Sequence, residues 1–559
     1  MPERSFKIKL SRNEGYAFLS AAALLFCLFS GCTRTGGEDR NKTVFRYNEA
    51  AGITSLDPAF ARDQANIWAT HQVFNGLIQL DDNLRILPCI ARWWTISGDG
   101  KEYRFRLRRD VSFHDDPAFP GGIGRKVVAK DFVYSFTRIL EPRTASPGAW
   151  IFSEVEPNGD SPSFFAPDDS TLVIRLKKSF PPFLGLLTTM YGSVVPREAI
   201  RKYGQDFRRN PVGTGPFRFG YWKEGVKLVL VKNPSYFETV NGHRLPYLDA
   251  VAITFLADKQ SAFLEFVKGR LDFMSGIDPG YKDEVLTRDG SLREKFRDRF
   301  RLVTCPYLNT EYLGFLMDPS SPVIKNDPVR LKKIRMAINH SFDRRKMIRF
   351  LRNNIGIPGI YGIVPTGMPS FDSTAVYYDY DPGLARRLLE EAGFPAGSGL
   401  PPVTLSTTSD YLDICKYIQN RAGELGIEMK IDISPPAALK EMKAQARLPF
   451  FRASWIADYP DGENYLSLFY SRNFCPAGPN YTRFSSPEFD RLYELSMSTT
   501  DDSLRIACYR RMEKIMMQEA PVVVLYYDLV LRFVGNNISG LGCDPMNLLT
   551  LKNVRKRNW

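Results

Sequence analysis

The 559-residue sequence lacks most of the short motifs that mark an active site or a metal site. It has no G-x-S-x-G nucleophile elbow, no G-x-x-x-x-G-K phosphate loop, no H-E-x-x-H motif and no C-x-x-C pair. Its four histidines are far apart and none is spaced H-x-x-x-H, so a structural zinc signature is missing. We therefore expect a protein that is not an enzyme and that holds neither metal nor cofactor.

The composition is not extreme in any direction. With 41 Gly, 38 Pro and 44% hydrophobic residues, the chain can form packed cores, which excludes a disordered or a collagenous protein. The net charge of +13 comes from basic residues that are scattered and usually sit beside acidic ones. Because nucleic acids select a contiguous basic face, we expect no nucleic-acid partner.

The N-terminus has the order of parts of a bacterial export signal. Four basic residues precede a mainly apolar run at 17–29, which is about half the length of a membrane-spanning helix. The run ends in L-F-S-G-C at 28–32, which resembles a lipobox. We predict a signal peptide at 1–31, a lipid anchor on Cys32 and a flexible tether at 32–42, while an uncleaved signal anchor stays open.

Six cysteines remain after Cys27 and Cys32 are set aside: Cys89, Cys305, Cys415, Cys475, Cys508 and Cys543. In an oxidising compartment they could pair in any of fifteen ways. Buried thiols are as compatible with the sequence as disulfides are.

Apolar periodicity predicts strands and helices that alternate along the mature chain, as in an α/β protein. Gly76, Gly393 and Gly426 are expected to end helices. The predicted strands are residues 44–48, 103–107, 171–176, 227–231, 403–407, 427–433 and 522–527, and the predicted helices are residues 65–76, 130–140, 258–268, 329–350, 382–392, 412–425, 487–496 and 503–519.

Several blocks occur in a fixed order over nearly all of residues 43–535. They are S-L-D-P at 55–58, V-F-N-G-L at 73–77, A-R-W-W through G-D-G-K-E-Y-R-F-R-L-R at 91–108, V-G-T-G-P-F at 212–217, N-P-S-Y-F at 233–237 and I-R-M-A-I-N at 334–339. In this order they resemble the peptide/nickel type (family 5) of extracellular solute-binding proteins of ABC transporters, the oligopeptide- and dipeptide-binding lipoproteins.

The resemblance implies an architecture. It is an α/β, two-lobed periplasmic-binding-protein-like fold (type II, cluster C) with an extra subdomain in the first lobe. The implied boundaries are lobe I at 43–85, 206–303 and 521–559, the extra subdomain at 86–205, and lobe II at 304–520, with crossings between the lobes near 301–306 and 520–526.

The resemblance also implies a role. A monomeric binding protein, anchored by lipid at the periplasmic or extracytoplasmic face of a membrane, would capture extended peptides between its lobes. It would deliver them to the permease and ATPase subunits of an ABC importer. The same scaffold can take a nickel chelate or another non-peptide solute, and an exported hydrolase is the alternative from a different class.

The block R-A-S-W-I-A-D-Y-P at 452–460 carries the expected recognition. By resemblance to peptide-binding members, Asp458, three residues after Trp455, pairs with the ligand's α-ammonium. A charge-assisted bond to a carboxylate suits a desolvated ammonium, although a turn-capping Asp is the alternative. By the same resemblance, Arg452 matches a position that can face the ligand's carboxylate. Trp455 and Tyr459 are the other candidate ligand-binding residues of this segment. Gln64 marks a separate loop, whose backbone would bind the peptide.

Other features of the sequence have structural explanations. Gly213 and Gly215 are expected to permit positive φ, and His114 is expected to have a structural role rather than to bind metal. The sequence departs from the family's pattern at Val128, where a capping hydroxyl is missing, and at an insertion of residues 117–126. We expect a rearranged loop there.

The lipid anchor can be tested directly. Cys32→Ser should give an unlipidated protein that is lost from the membrane fraction, because no other thiol stands at the end of the lipobox. Cys27→Ser, which removes the thiol inside the apolar run, is the matched control and should stay lipidated. Unchanged membrane association and globomycin sensitivity of Cys32→Ser would instead indicate an uncleaved signal anchor.

Overall fold

The computed structural model describes residues 42–159 and 161–557. The predicted signal peptide, Cys32 and almost all of the predicted tether lie outside the described residues. The strands, β1 to β23 in chain order, are Val44–Asn48, Ile78–Leu80, Ile86–Pro88, Ala91–Ile96, Glu102–Leu107, Pro157–Asn158, Ser161–Pro162, Phe164–Asp168, Thr171–Arg175, Phe217–Lys223, Lys227–Lys232, Thr239–Val240, His243–Arg244, Ala250–Thr254, Phe273–Ser275, Phe300–Phe315, Ile357–Pro358, Val403–Thr407, Met429–Ile433, Phe450–Ile456, Val522–Gly535, Ile538–Ser539 and Arg555–Lys556.

The helices confirm the predicted α/β class. In chain order α1 to α15 are Gln64–Val73, Ala129–Leu140, Phe183–Leu187, Arg197–Tyr203, Lys259–Val267, Lys282–Val285, Glu294–Arg297, Lys332–His340, Arg344–Leu351, Pro382–Glu391, Leu412–Gly423, Pro436–Ala444, Glu463–Leu466, Pro487–Ser498 and Asp502–Glu519. None of the helices in the described part of the chain is long and apolar enough to cross a membrane.

One large mixed sheet runs through the molecule, in the order β10-β11-β14-β1-β15-β21-β16-β20-β18-β19, with β17 added beside β21. We call β10, β11, β14, β1 and β15 the first half of this sheet, and β20, β18 and β19 the second half. Each half contains parallel pairs, β1 with β14 and β15 in the first and β18 with β19 and β20 in the second. A separate antiparallel sheet, β4-β5-β9-β8, lies in the segment predicted as the extra subdomain.

Two long strands join the halves. The N-terminal part of β16 pairs with the C-terminal part of β21 from Phe300↔Gly535 to Pro306↔Leu529, and pairing resumes at Thr310↔Tyr527 after a register shift. Beyond the shift, β16 pairs with β20 as well. The predicted crossings near 301–306 and 520–526 overlap these strands, and the register shift lies just C-terminal to them.

Most predicted elements form with nearly the predicted bounds. Val44–Asn48 and Val403–Thr407 are strands with the predicted ends. The region at 329–350, in contrast, divides into α8 and α9, because Asp343 adopts an extended conformation and its carboxylate caps Lys346 N–H at 3.0 Å. Gly76 does not end a helix, since α1 already ends at Val73.

Gly213 and Gly215 are glycines for a reason other than the predicted positive φ, which neither adopts. A Cβ on Gly213 would lie 2.0 Å from Val73 O, and one on Gly215 would lie 2.6 Å from Gln72 O. Close approach to the end of α1 therefore excludes a side chain. His114 lies at this contact, with Nε2 2.9 Å from Gly215 O, in the structural position expected for it.

The departures at Val128 and at residues 117–126 are accommodated locally. Val128 caps α2 without a side-chain bond, but Asp131 accepts the Val128 N–H at 2.9 Å, so half of a capping box remains. Asp116, directly before the inserted loop, accepts the Ala118 N–H at 2.7 Å and the Tyr203 hydroxyl at 2.9 Å.

The cysteines show both outcomes that the sequence left open. Cys305 of β16 forms a disulfide with Cys543, while Cys89, Cys415, Cys475 and Cys508 are buried thiols. The disulfide ties the crossing strand to the segment that follows β21. Buried Arg532 holds the same segment, donating to Leu548 O at 2.7 Å.

Reduction should therefore destabilise the protein. Because the disulfide closes a loop of 238 residues, its loss should lower the free energy of unfolding by about 2–5 kcal/mol. Melting curves with and without a thiol reductant measure this. The Cys305→Ser/Cys543→Ser variant should melt below the oxidised wild type and should no longer respond to reductant. A wild-type melting temperature that reductant leaves unchanged would contradict the predicted contribution.

Candidate ligand-binding site

A cavity of about 750 Å³ lies between the two halves of the molecule, where the crossing strands pass. We call it the cleft cavity. Its walls are α1 and the loop before it (Ala61, Arg62, Gln64, Ile67, Trp68, His71, with Leu80 from β2), the subdomain segment (Pro147, Trp150, Thr188, Thr189, Met190, Tyr191), Tyr307 of β16, the end of β20 (Ile456, Ala457, Asp458) and a C-terminal segment (Met546, Asn547, Leu548). A second cavity of about 400 Å³ adjoins it and shares Gln64, Trp68, Tyr307 and Asn547.

Asp458 places a carboxylate in the cleft cavity, two residues beyond the end of β20. Its side chain is exposed to the cavity, and within residues 42–159 and 161–557 it forms no salt bridge. The surrounding walls still desolvate it enough to raise the pKa of its carboxyl group, and hydrogen bonding to Asn464 opposes this shift. The site therefore contains a partly desolvated anion without a cationic partner.

The backbone around Asp458 is held from two sides. Ala457 N–H donates to Leu308 O of β16 at 2.9 Å, and Asp458 N–H donates to Asn464 Oδ1 at 3.3 Å. Trp455 donates its indole N–H to the same Asn464 oxygen at 2.8 Å. Trp455 is half-buried against the core beneath β20 and is not among the residues that line the cleft cavity. Its visible contribution is to position Asn464, and through it the Asp458 backbone.

Tyr459 points away from the cleft cavity into a contact between the lobes. Its hydroxyl hydrogen-bonds to the buried carboxylate of Glu463, and its ring lies 6.2 Å from the ring of Trp150 of the subdomain. Its Cβ lies 3.5 Å from the position that a Cβ on Gly185 would occupy. A small residue at 185 thus allows this side chain to pack against the subdomain.

Arg452 does not reach the cleft cavity. Period two along β20 puts it on the opposite face from Trp455, where its guanidinium pairs with buried Glu311 at 2.5 Å. The guanidinium also lies 3.4 Å from the centre of the Tyr411 ring. Its charge is engaged inside the second half of the molecule.

Gln64 is the first residue of α1 and lines both cavities, with its side chain exposed. The predicted peptide-binding loop is thus the first turn of a helix, whose leading N–H groups have no acceptor within the helix. Asp63 caps this turn by accepting the Asn66 N–H at 3.0 Å.

Several cavity residues have no signal in the sequence. The segment at 546–548 is brought to α1 by Trp68, whose indole N–H donates to Asn547 O at 2.7 Å, across most of the chain length. Tyr307 directly follows the predicted crossing and could have been singled out there. Arg62 lies two residues before Gln64, which marks the predicted peptide-binding loop, but residue type alone gave no reason to choose Arg62.

Apart from Asp458 and Arg62, the ionisable groups of the cavity are uncharged at neutral pH. Burial, together with the charge of Lys552, lowers the pKa of His71 to about 4, and burial raises the pKa of Tyr307 to about 12. In the described part of the chain, no group of three or more His, Cys, Asp or Glu is arranged to hold a metal ion.

A cavity between two halves of one sheet, with aromatic and apolar walls and a single carboxylate, has the features of a ligand-binding cleft. This architecture defines the class of two-lobed solute-binding proteins. The family model "Bacterial extracellular solute-binding proteins, family 5 Middle" matches residues 85–474, more than half of the chain, and the chain belongs to this family.

Similar proteins span nearly the whole chain. Glutathione-binding protein GsiB of Salmonella choleraesuis (strain SC-B67) is 24% identical over 503 residues, covering 89% of this chain and 91% of that protein. The dipeptide-binding protein of Escherichia coli (strain K12) is 23% identical over 500 residues, covering 86% of this chain and 88% of that protein. The structure of HbpA2 from Haemophilus parasuis superposes with a TM-score of 0.79 at 20% identity, covering 92% of this chain and 100% of that one. The predicted two-lobed, periplasmic-binding-protein-like fold is confirmed.

The state of Asp458 predicts an unusual stability profile. Its pKa is raised by folding, so the native state binds more protons than the unfolded state from the ordinary carboxyl pKa up to the raised value. The contribution of Asp458 to stability should fall as pH rises through this window. Asp458→Asn should remove the dependence and should melt at or above the wild-type temperature at neutral pH.

Asp461 provides the matched control, because its carboxylate pairs with buried Arg505 and accepts the Tyr509 hydroxyl at 2.8 Å. Asp461→Asn should lower the free energy of unfolding by about 3 kcal/mol, since it removes the buried carboxylate partner of Arg505 and leaves only the exposed carboxylate of Asp502, at 2.9 Å. Melting curves of both variants between pH 4 and pH 8 test this contrast. A loss in Asp458→Asn as large as that in Asp461→Asn would show that Asp458 is structural.

Proposed function

We propose that the protein captures peptides through their free α-ammonium group and delivers them to the membrane permease of an ABC importer. The observation that carries this is the Asp458 carboxylate, which lies in the cleft cavity without a salt-bridge partner in the described residues. A desolvated carboxylate is stabilised by a ligand cation, and a primary ammonium supplies both the charge and the hydrogen bonds.

The two relatives support this choice of ligand. One is named as glutathione-binding and the other as dipeptide-binding, and both ligands are peptides that carry an α-ammonium. The cleft cavity adds broad apolar and aromatic walls, which suit side chains of varied shape. Binding of a nickel chelate or of another non-peptide solute is the alternative on the same scaffold.

The proposal includes the setting of the protein. We infer that it is a monomeric, non-enzymatic lipoprotein held by Cys32 at the extracytoplasmic face of a membrane. The lobe boundaries predicted from the sequence, with the extra subdomain at 86–205 and lobe II at 304–520, belong to the same proposal. The separate β4-β5-β9-β8 sheet supports the extra subdomain, and the register shift in β16 supports a lobe boundary near residue 304.

Thermal shift with a mixed tri- to pentapeptide pool tests the proposed function on residues 43–559. A ligand that binds the native state raises the melting temperature by mass action. The free pool should stabilise the wild type, and the same pool acetylated at its N-termini should not. Asp458→Asn should weaken binding of the free pool by about tenfold or more, as expected for loss of a charged hydrogen-bond partner.

Asp410→Asn is the control, because it removes an exposed carboxylate just before α11. This variant should bind the free peptide pool as the wild type does. Stabilisation by both pools alike would show that the ammonium is not read. If neither pool stabilises the protein, peptide capture is wrong, and metal chelates and sugars become the ligands to test.

A further inference from the structure

The start of β1 is where the predicted tether joins the folded chain. Thr43, the residue before β1, is held there, because its backbone N–H and its hydroxyl donate to the Asp249 carboxylate at 2.8 and 2.9 Å. The predicted tether at 32–42 is so short that, fully extended, it keeps this point within about 35 Å of a lipidated Cys32. The other end of β1 leads to Asn48, which lines the adjoining cavity. The tether therefore joins the protein at the end of β1 opposite the ligand-binding cavities.

Five exposed arginines lie around this point, and we call them the tether-side surface: Arg46, Arg297, Arg299, Arg555 and Arg557. Hydrogen bonds connect the segments that carry them. Val44 O accepts from Arg46 at 3.2 Å and from Lys556, which stands between Arg555 and Arg557, at 2.9 Å. Asn537 O accepts the Arg557 N–H at 2.9 Å, and the neighbouring Asn536 donates to Arg299 O at 3.1 Å and to Arg297 O at 2.8 Å. The arginines thus form one surface that runs from β1 over the C-terminal segment to the chain before β16.

The guanidinium groups of this surface are not neutralised by carboxylates. Within residues 42–159 and 161–557, none of the five arginines forms a salt bridge. Arg297 and Arg299 donate to backbone carbonyl oxygens instead, at 3.3 and 3.2 Å. The Arg555 guanidinium lies 3.9 Å from the centre of the Tyr247 ring. These contacts hold the side chains in place and leave their positive charge available to a partner.

The acids near the surface offset only part of this charge. Asp272 is buried and pairs with Lys556 at 2.8 Å, so it does not neutralise the exposed arginines. Asp298, between two of the arginines in sequence, is exposed and removes one charge. On the sheet of the subdomain, in contrast, exposed Arg175 pairs with Glu102 at 2.9 Å. The tether-side surface therefore keeps a net positive charge where the chain leaves for the predicted anchor.

We propose that the tether-side surface binds the headgroups of anionic phospholipids in the membrane that anchors the protein. This inference rests on the lipid-anchored setting in the proposed function. A charged membrane attracts basic residues that come within a screening length of about 8–10 Å, and the short tether keeps these arginines near the headgroups. The planar fork of a guanidinium also matches two oxygens of a phosphate.

Binding through this surface sets the orientation of the protein. Because the cavities lie toward the opposite end of β1, the cleft would then face away from the lipid and toward free solutes. The contact is ionic and screened by salt, so it is reversible. The bound form is thus an orientation for capture, which the protein leaves when it turns toward the permease.

Vesicle binding tests the surface without the anchor. Residues 43–559 are sedimented with vesicles made of phosphatidylcholine and phosphatidylglycerol in equal parts, or of phosphatidylcholine alone. At low salt the wild type should bind the mixed vesicles at least about tenfold more tightly than the neutral ones. Binding should disappear in about 1 M salt, where the screening length is about 3 Å.

A triple variant and a matched control locate the binding. Arg46→Gln/Arg555→Gln/Arg557→Gln should lose about tenfold to a hundredfold in affinity for the mixed vesicles, because each arginine near an anionic surface contributes about fivefold. Arg386→Gln/Arg387→Gln/Arg447→Gln removes three exposed arginines from the second half of the molecule and changes the net charge equally. This control should bind as the wild type does. Melting temperatures near that of the wild type show that both variants are folded.

The outcomes separate this inference from the proposed function. Equal losses in the triple variant and the control would show that net charge, not this surface, drives binding, and the inference would be wrong. Equal binding of the wild type to both kinds of vesicle would overturn it as well, as would displacement from the mixed vesicles by a short DNA duplex at equal phosphate concentration. Peptide pools that fail to stabilise a protein with normal vesicle binding would remove the proposed ligand and leave the tether-side surface in place.

Discussion

The pairing of β16 with β21 is the interaction on which the rest of the molecule depends. It joins both halves of the sheet, and its register shift leaves residues between Pro306 and Thr310 unpaired with β21. Their polar groups are used elsewhere: Leu308 N–H donates to Pro545 O, and Leu308 O accepts from Ala457 N–H and from the Tyr465 hydroxyl. One break in the ladder thus fixes the C-terminal wall of the cleft cavity and the segment that carries Asp458.

The treatment of charge separates structural groups from the site. Buried ionisable groups elsewhere have partners inside the protein, because an uncompensated ion in a low dielectric is strongly destabilising. Asp57 pairs with Arg138 at 2.5 Å and Glu311 with Arg452, whereas Arg344 donates to Val524 O at 2.6 Å. Asp458 and Asp461 are three residues apart and differ in this respect, since only Asp461 has an arginine. An anion that is held in place but left unpaired keeps its electrostatic potential for a ligand, and it makes the empty site less stable.

Local patterns in the sequence predict the elements well, because a strand such as Val403–Thr407 is set by its own apolar residues. Patterns of this kind carry no information about contacts between residues that are far apart in sequence. Glu311, which engages Arg452, is 141 residues away, and the atoms that exclude a side chain at Gly213 belong to the end of α1. The resemblance singled out Asp458, whose carboxylate lines the cleft cavity, and its pairing with a ligand ammonium stays a prediction. Residue type could not show that Arg62 faces the cavity while Arg452 faces inward, because that depends on the long-range packing of both halves.

The walls of the cleft cavity connect recognition with closure. Gln64 and Asp458 belong to segments on opposite sides of the crossing strands, so a ligand that contacts both also links the two lobes. A ligand shifts a conformational equilibrium only by its difference in affinity between the states, and contacts made from both lobes at once would supply such a difference. Tyr459 against Trp150 adds an apolar contact that is independent of the ligand.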